Sequence, residues 1–234
     1  MIELHSHILY ETDDGSSSLE ESIEMAKEAF EAGFTTICCT PHYLEPQYVH
    51  TREENLEKLN ILQNKLEQRN IDIKLELGNE IFITRNIEEL IDAKKASMLG
   101  ESEYILIELP MFQRLTSAIN LISDLPYSKI ILAHPERYEY VQDNISYLDE
   151  FIDMGILLQG NYESILGKYG RKAEKTLKKL LKQHKVDLLS TDTHRKNSTY
   201  ARFLEIEKKL KKLVKEDYYK DLTYNLPKDI LRNI

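Results

Sequence analysis

Cysteine is almost missing from this 234-residue chain, and long apolar runs are missing altogether. The two cysteines, Cys38 and Cys39, are neighbours. Adjacent cysteines rarely bridge and two offer no disulfide framework, which suits a reducing compartment. They read as small apolar side chains buried in a β-like run. A cysteine phosphatase would need an arginine six residues past its nucleophile, and Leu44 and Glu45 stand there instead. The longest apolar runs, such as 105–107 and 130–133, are far too short to span a bilayer, so no membrane insertion is expected. No basic-then-apolar segment opens the sequence, and a cytoplasmic protein is expected. Linkers, repeats and low-complexity tracts are also lacking. The expectation is one domain over 1–234, long enough for a sizeable core.

Charge of both signs is plentiful, and the formal net charge of −9 hides an asymmetry. Residues 168–220 hold 17 basic and 7 acidic side chains, against 14 and 33 in the remainder. Solvated amphipathic helices account for this; the functional alternative is a surface that meets an acidic partner. No basic motif interleaved with aromatics is present, so no nucleic-acid partner is expected.

The apolar pattern alternates between two periods. Leu19, Ile23, Ala26 and Phe30 recur at helical spacing behind a cap among Ser16, Ser17 and Ser18, with Gly33 at the stop. Further helices are expected at 52–69, 86–95, 115–124, 145–154, 171–184 and 200–215. Short apolar strands are expected at 2–5, 35–39, 71–77, 104–109, 129–133, 156–159 and 186–190. Such alternation argues for parallel strands in an α/β barrel, and seven strands suggest a (β/α)7 barrel.

Five of the seven histidines fall at or just past these strands: His5, His7, His42, His134 and His194. Asp14, Glu80, Glu108 and Asp192 share that address, where the loops of an α/β barrel converge on one face. A lone strand-end histidine is most often structural. Two imidazoles at i and i+2 point to one face of a strand and can chelate, however. Gathering four carboxylates without cations would cost several kcal/mol each, so metal binding explains the set. His50 and His184 lie outside it.

The ordered segments His5-Ser6-His7, Asp13-Asp14-Gly15, Thr40-Pro41-His42, Gly78-Asn79-Glu80, Ile107-Glu108-Leu109-Pro110, Ala133-His134-Pro135-Glu136-Arg137-Tyr138 and Asp192-Thr193-His194 resemble the motifs of the polymerase-and-histidinol-phosphatase (PHP) superfamily. They are most similar to the bacterial protein-tyrosine phosphatases encoded with capsule and exopolysaccharide genes, the CpsB, CapC and YwqE type. The resemblance implies a distorted (β/α)7 TIM-like barrel holding three divalent ions, usually manganese, with iron, cobalt or zinc as alternatives. By motif, His5, His7 and Asp192 would hold one ion, with Glu80 bridging to a second. Glu108 and His134 would complete the second, and Asp14, His42 and His194 would hold the third. Arg137, Asp192 and His194 are the implied catalytic groups, with Arg137 as the guanidinium that clamps phosphate oxygens.

The sequence departs from this pattern in two places. Relatives carry a second arginine in a pattern like Asp-x-His-Asn-x-x-x-x-Arg; here Arg195 replaces the asparagine and Lys196-Asn197-Ser198-Thr199-Tyr200 follows. Arg195, Lys196 or Arg202 would have to supply that charge. Glu3 replaces an aspartate, with little consequence expected. The implied function is dephosphorylation of phosphotyrosine on a protein, the tail of a cognate bacterial tyrosine kinase. The competing readings are a phosphatase for a small phosphomonoester such as histidinol phosphate, and a non-catalytic docking protein, for which nine costly ligands serve no purpose.

Overall fold

The structure, a computed structural model, describes residues 1–125 and 129–232. Among the described residues nine strands appear in chain order: β1 (Ile2–Ser6), β2 (Thr36–Cys39), β3 (His42–Tyr43), β4 (Lys74–Leu77), β5 (Glu80–Phe82), β6 (Ile105–Glu108), β7 (Ile130–Ala133), β8 (Leu157–Asn161) and β9 (Leu188–Ser190). These strands pair in parallel throughout, in two sheets of order β1-β2-β4 and β3-β5-β6-β7-β8-β9.

Two of the seven expected strands, 35–39 and 71–77, are therefore each followed after a break by a further short strand that was not expected. Thr40-Pro41 separates β2 from β3, and Gly78-Asn79 separates β4 from β5. Pro41 has no N–H to give a ladder. The Asn79 side chain spans the break, donating to Pro41 O at 2.9 Å and accepting from Ser97 N at 2.9 Å. At the other edge, Ser6 bridges Thr193, with His7 N donating to Thr193 O (3.0 Å) and Asp192 N to His5 O (2.9 Å).

Helices separate the strands. They are α1 (Leu19–Glu31), α2 (Arg52–Gln68), α3 (Ile87–Asp92), α4 (Ala118–Ser123), α5 (Glu139–Asp143), α6 (Asp149–Asp153), α7 (Gly170–Lys182) and α8 (Phe203–Leu213). The expected cap forms at α1, where Ser18 accepts from Glu21 N; Thr51 and Glu54, for which no cap was expected, make a reciprocal box at the start of α2. The α1 face differs from the expected one. Ile23, Met25, Ala26 and Ala29 are buried, whereas Phe30 is turned outward and 43% exposed. The closing stretch is helical throughout: α9 (Glu216–Lys220), a π-helical turn (Asp221–Asn225) and α10 (Leu226–Arg232). Among the described residues no helix is long and apolar enough to cross a membrane.

Alternation along the strands sorts the core into two layers. Ile105, Ile107, Ile130, Leu132 and Leu189 pack outward against the helices. Leu4, Cys38, Leu106, Ile131, Ala133 and Leu188 face a smaller inner cluster that Ile230 of α10 joins. The two cysteines are buried and free, as their neighbourhood suggested.

Tyr138 ties this frame together beneath the site. Its ring is fully buried, and its hydroxyl donates to Ala133 O (2.8 Å) while accepting from Leu109 N (3.0 Å). Tyr138→Phe should leave the Leu109 N–H without a partner and destabilise the fold by about 2 kcal/mol. The check is urea unfolding, in which the midpoint falls while the slope stays constant.

Candidate metal centre

The inner layer ends in polar side chains at the carboxyl ends of the strands. Continuing the inward alternation past the apolar residues leads from Cys38 to His42, from Leu106 to Glu108 and from Leu188 to Asp192. On β1 the pattern would leave His5 and His7 on the wrong face, because Ile2 and Leu4 already point inward. The pairing register with β2 slips between Glu3 and Ser6, and this irregularity re-aims both imidazoles. His134 (φ 35°) and Asp192 (φ 49°) take left-handed backbone conformations that turn their side chains into the same space.

The outer hydrogen bonds decide what each imidazole offers. Gln159 donates its amide to Gly160 O and Asn161 Oδ1 at 2.8 Å each, so its Oε1 faces His5 Nδ1 at 2.8 Å. His7 Nδ1 meets Asp13 Oδ2 at 2.7 Å. Both histidines then carry hydrogen on Nδ1 and aim a bare Nε2 lone pair inward. These two Nε2 atoms lie 3.1 Å apart. Lone pairs face each other so closely only with a proton or a cation between them.

Glu80 lies at the centre. Its Oε2 is 3.2 Å from His5 Nε2, 3.3 Å from His7 Nε2 and 3.0 Å from His42 Nδ1, yet it has no hydrogen-bond partner. Its Oε1 meets His134 Nε2 at 2.8 Å, and His134 Nε2 is 3.7 Å from Glu108 Oε1. Asp192 Oδ1 is 3.5 Å from His5 Nε2 and 3.2 Å from His7 Nε2. Asp14 Oδ1 stands 3.7 Å from His42 Nε2 and 3.5 Å from His194 Nε2.

Three groupings with metal-ligand spacing result: His5, His7, Glu80 and Asp192; His7, Asp14, His42 and His194; and His42, Glu80 and Glu108. The first has the composition implied for one ion. The second adds His7 to the implied third set. In the remaining group His42 takes the place expected of His134, which contacts Glu80 from the side.

Electrostatics points the same way. Burial opposes charge on His5, but the carboxylates of Glu80 and Asp192 outweigh it and hold the imidazolium up at about 9. Burial would also raise Glu80, yet His5 and His42 hold its carboxyl well below the ordinary range. Burial and the charge of Glu80 push Glu108 up to about 8. Burial, helped by Arg137, depresses His134 to about 4, so that its ring is neutral at pH 7. Burial is likewise outweighed at His7, by Asp13 with Asp192 and Glu80, and at His42, by Glu80, so both are raised. A pocket that draws protons onto three imidazoles is one that divalent cations enter by displacing protons. Oxygen and imidazole donors, converging lone pairs and the orphaned Glu80 Oε2 fit such ions.

Arg137 joins the group from the 3-10 turn Pro135–Arg137, donating from Nη1 to Asp192 Oδ2 at 2.5 Å. The proposed substitutes for the second arginine are not gathered with it. Arg195 is exposed and bonds its own neighbour's carbonyl, His194 O, at 3.3 Å; Lys196 is exposed beside it; Arg202 pairs with Glu205 at 3.0 Å. His50 and His184 lie elsewhere, against Glu54 and Tyr218. Sequence reasoning did not assign roles to Asp13, Gln159 or Asn161, the last of which donates to Asp192 Oδ2 at 2.7 Å. Asp13 had a signal in Asp13-Asp14-Gly15, where a Cβ on Gly15 would stand 2.2 Å from His7 O. Gln159 and Asn161 had only their inward alternation on β8.

Residues 1–232 match the family model for capsular polysaccharide synthesis, CpsB/CapC. CapC of Staphylococcus aureus is 34% identical over 200 residues, covering 83% of this chain and 77% of its own. The tyrosine-protein phosphatase CpsB of Streptococcus pneumoniae is 31% identical over 208 residues, covering 85% and 84%. A crystal structure from work on Bacillus subtilis YwqE and Streptococcus pneumoniae CpsB, described as unique metal-dependent tyrosine phosphatases, is similar with a TM-score of 0.91 at 28% identity. It aligns over 100% of this chain and 95% of that one. The chain belongs to the CpsB/CapC family of capsular polysaccharide synthesis proteins.

Proposed function

We propose that this chain is a metal-dependent protein-tyrosine phosphatase, acting in the cytoplasm on the phosphotyrosine tail of a bacterial tyrosine kinase. The observation that carries the reading is the gathering of five imidazoles and four carboxylates, Glu80 among them, in one cluster, with the Arg137 guanidinium bound to Asp192 at its edge. In this reading the seven strand tracks make one distorted (β/α)7 barrel, whose seam is the contact between Ser6 and Thr193. His5, His7, Asp14, His42, Glu80, Glu108, His134, Asp192 and His194 hold three divalent ions, manganese by preference.

Bound divalent ions lower the pKa of water and neutralise phosphate oxygens, which is the chemistry a phosphomonoesterase needs. The residues of the chain do the rest. Gln159 and Asp13 keep the His5 and His7 rings in the ligating tautomer. Arg137 presents N–H groups to the equatorial oxygens, where charge builds during phosphoryl transfer. Its bond to Asp192 orients that fork toward the ligand cluster. A tyrosyl oxygen, with a pKa near 10, leaves more readily than a seryl alkoxide and depends less on a general acid. Neither cysteine takes part: both are buried, and burial pushes both thiols up.

Chelation should abolish activity and manganese should restore it, whereas iodoacetamide should leave turnover of a phosphotyrosine peptide intact. Inactivation by iodoacetamide at constant metal content would refute the mechanism.

His134→Ala and Asp192→Ala should each lower kcat by about a hundredfold, because each strips a donor from the cluster. His50→Ala and His184→Ala, which alter residues away from it, should stay near wild type. Equal losses in all four would show that strand-end position does not separate ligand from bystander.

Arg137→Lys should keep metal content and fold while losing about a hundredfold in kcat, since lysine cannot present a planar fork. The same assays should rank a phosphotyrosine peptide above a phosphoserine peptide, with histidinol phosphate turned over poorly. Histidinol phosphate as the best substrate would overturn the protein-phosphatase reading and leave the metal site standing.

A further inference from the structure

The chain between β8 and α7 reaches back over the site. Its 3-10 turn (Tyr162–Leu166) ends at Gly167, and the next four residues read Gly167-Lys168-Tyr169-Gly170. Both glycines have left-handed backbones, at φ 79° and 91°, a conformation that costs glycine little and other residues more. A turn bracketed in this way points the side chain of Tyr169 inward, and its ring lies against Arg137 with 4.3 Å between the guanidinium carbon and the ring centroid.

Other contacts fix the turn. Lys168 pairs with the buried carboxylate of Glu163 and reaches Ser198 Oγ at 3.3 Å. Glu163 also accepts from Thr199 Oγ1 at 2.7 Å, which joins the turn to the segment following His194. Tyr169 is therefore held in place from its backbone and does not rely on Arg137 for its position.

We infer that Tyr169 is a positioning residue for the phosphate clamp, fixing the plane of the Arg137 guanidinium; the inference rests on the reading of Arg137 as that clamp. Two constraints act on the guanidinium at once. Asp192 engages one edge through Nη1, and the guanidinium carbon sits over the Tyr169 ring, 4.3 Å from its centroid. An arginine side chain has several rotatable bonds, and a hydrogen bond at one edge alone leaves it free to swing about that contact. A second contact with the Tyr169 ring removes this freedom before substrate arrives, so the remaining N–H groups are aimed when the phosphoryl group enters. Face contact of this kind depends on an aromatic surface and not on the phenol oxygen.

The test is a double-mutant cycle on the metal-loaded full chain, using Tyr169→Leu, Tyr169→Phe, Arg137→Lys and the Tyr169→Leu/Arg137→Lys pair. The readouts are kcat and KM for a phosphotyrosine peptide, the inhibition constant of inorganic phosphate, and metal content. Tyr169→Leu should lower kcat and weaken phosphate inhibition by about tenfold each, at unchanged metal content. Tyr169→Phe should behave as wild type. In the Arg137→Lys background, Tyr169→Leu should change either quantity by less than about twofold, because the group it positions is already gone. Equal losses from Tyr169→Leu in both backgrounds would overturn the inference while leaving the clamp intact, and would identify Tyr169 as a direct contact of the substrate. A Tyr169→Phe enzyme as defective as Tyr169→Leu would overturn it too, assigning the effect to the hydroxyl. An Arg137→Lys enzyme with wild-type kcat and phosphate inhibition would remove the clamp reading, and this inference with it.

Discussion

Glu80 is a carboxylate cut off from water, and the arrangement around it follows from the need to compensate that charge. An isolated buried carboxylate would take up a proton. This one stays ionised because four imidazoles approach its two oxygens, from three separate strand ends. Those imidazoles are useful to a cation only if their lone pairs point inward, and that depends on Gln159 and Asp13 behind them. Asp13 is itself fixed by accepting from Gly15 N and His42 N. A single buried charge thus sets requirements two bonds outward, through residues that never touch it.

The backbone meets those requirements with local departures from regularity. The register slip on β1, the breaks at Thr40-Pro41 and Gly78-Asn79, and the left-handed His134 and Asp192 all lie at the same end of the sheets. Regular strands would alternate past the cluster and send half of these side chains outward. The opposite end carries no such burden: it is apolar, layered and sealed by Ile230. Stability and chemistry are divided between the two ends of the parallel sheets.

Most of the fold was legible because its strands are short, apolar and spaced by amphipathic helices. The seven tracks and the helices at 52–69 and 171–184 fall close to their expected positions. The breaks in two tracks were not legible, since Thr-Pro and Gly-Asn look like strand ends and not like interruptions. Phe30 misled because helical spacing fixes a stripe but not its width, and Met25 and Ala29 fill the face beside it. At the site, imidazoles and carboxylates announce themselves by type. Gln159, Asn161 and Tyr169 do not, because amides and tyrosines are common in every setting and only their neighbours in space give them a role. Arg195, Lys196 and Arg202, among which the altered motif left the second phosphate-binding charge open, all stay outside the gathered group.

The first strand and the last form a shared edge: His5 meets Asp192, His7 meets Thr193, and Glu3 accepts from Thr191 N at 2.9 Å. These partners are nearly two hundred positions apart in the chain, so their loop must be closed before any of the contacts can form. During synthesis the histidines emerge first and wait for almost the whole polypeptide. Until the residues around Asp192 have left the ribosome, the nascent chain has only part of a coordination sphere. The donor set of His5, His7, Glu80 and Asp192 is thereby assembled only once the two ends of this long loop have met.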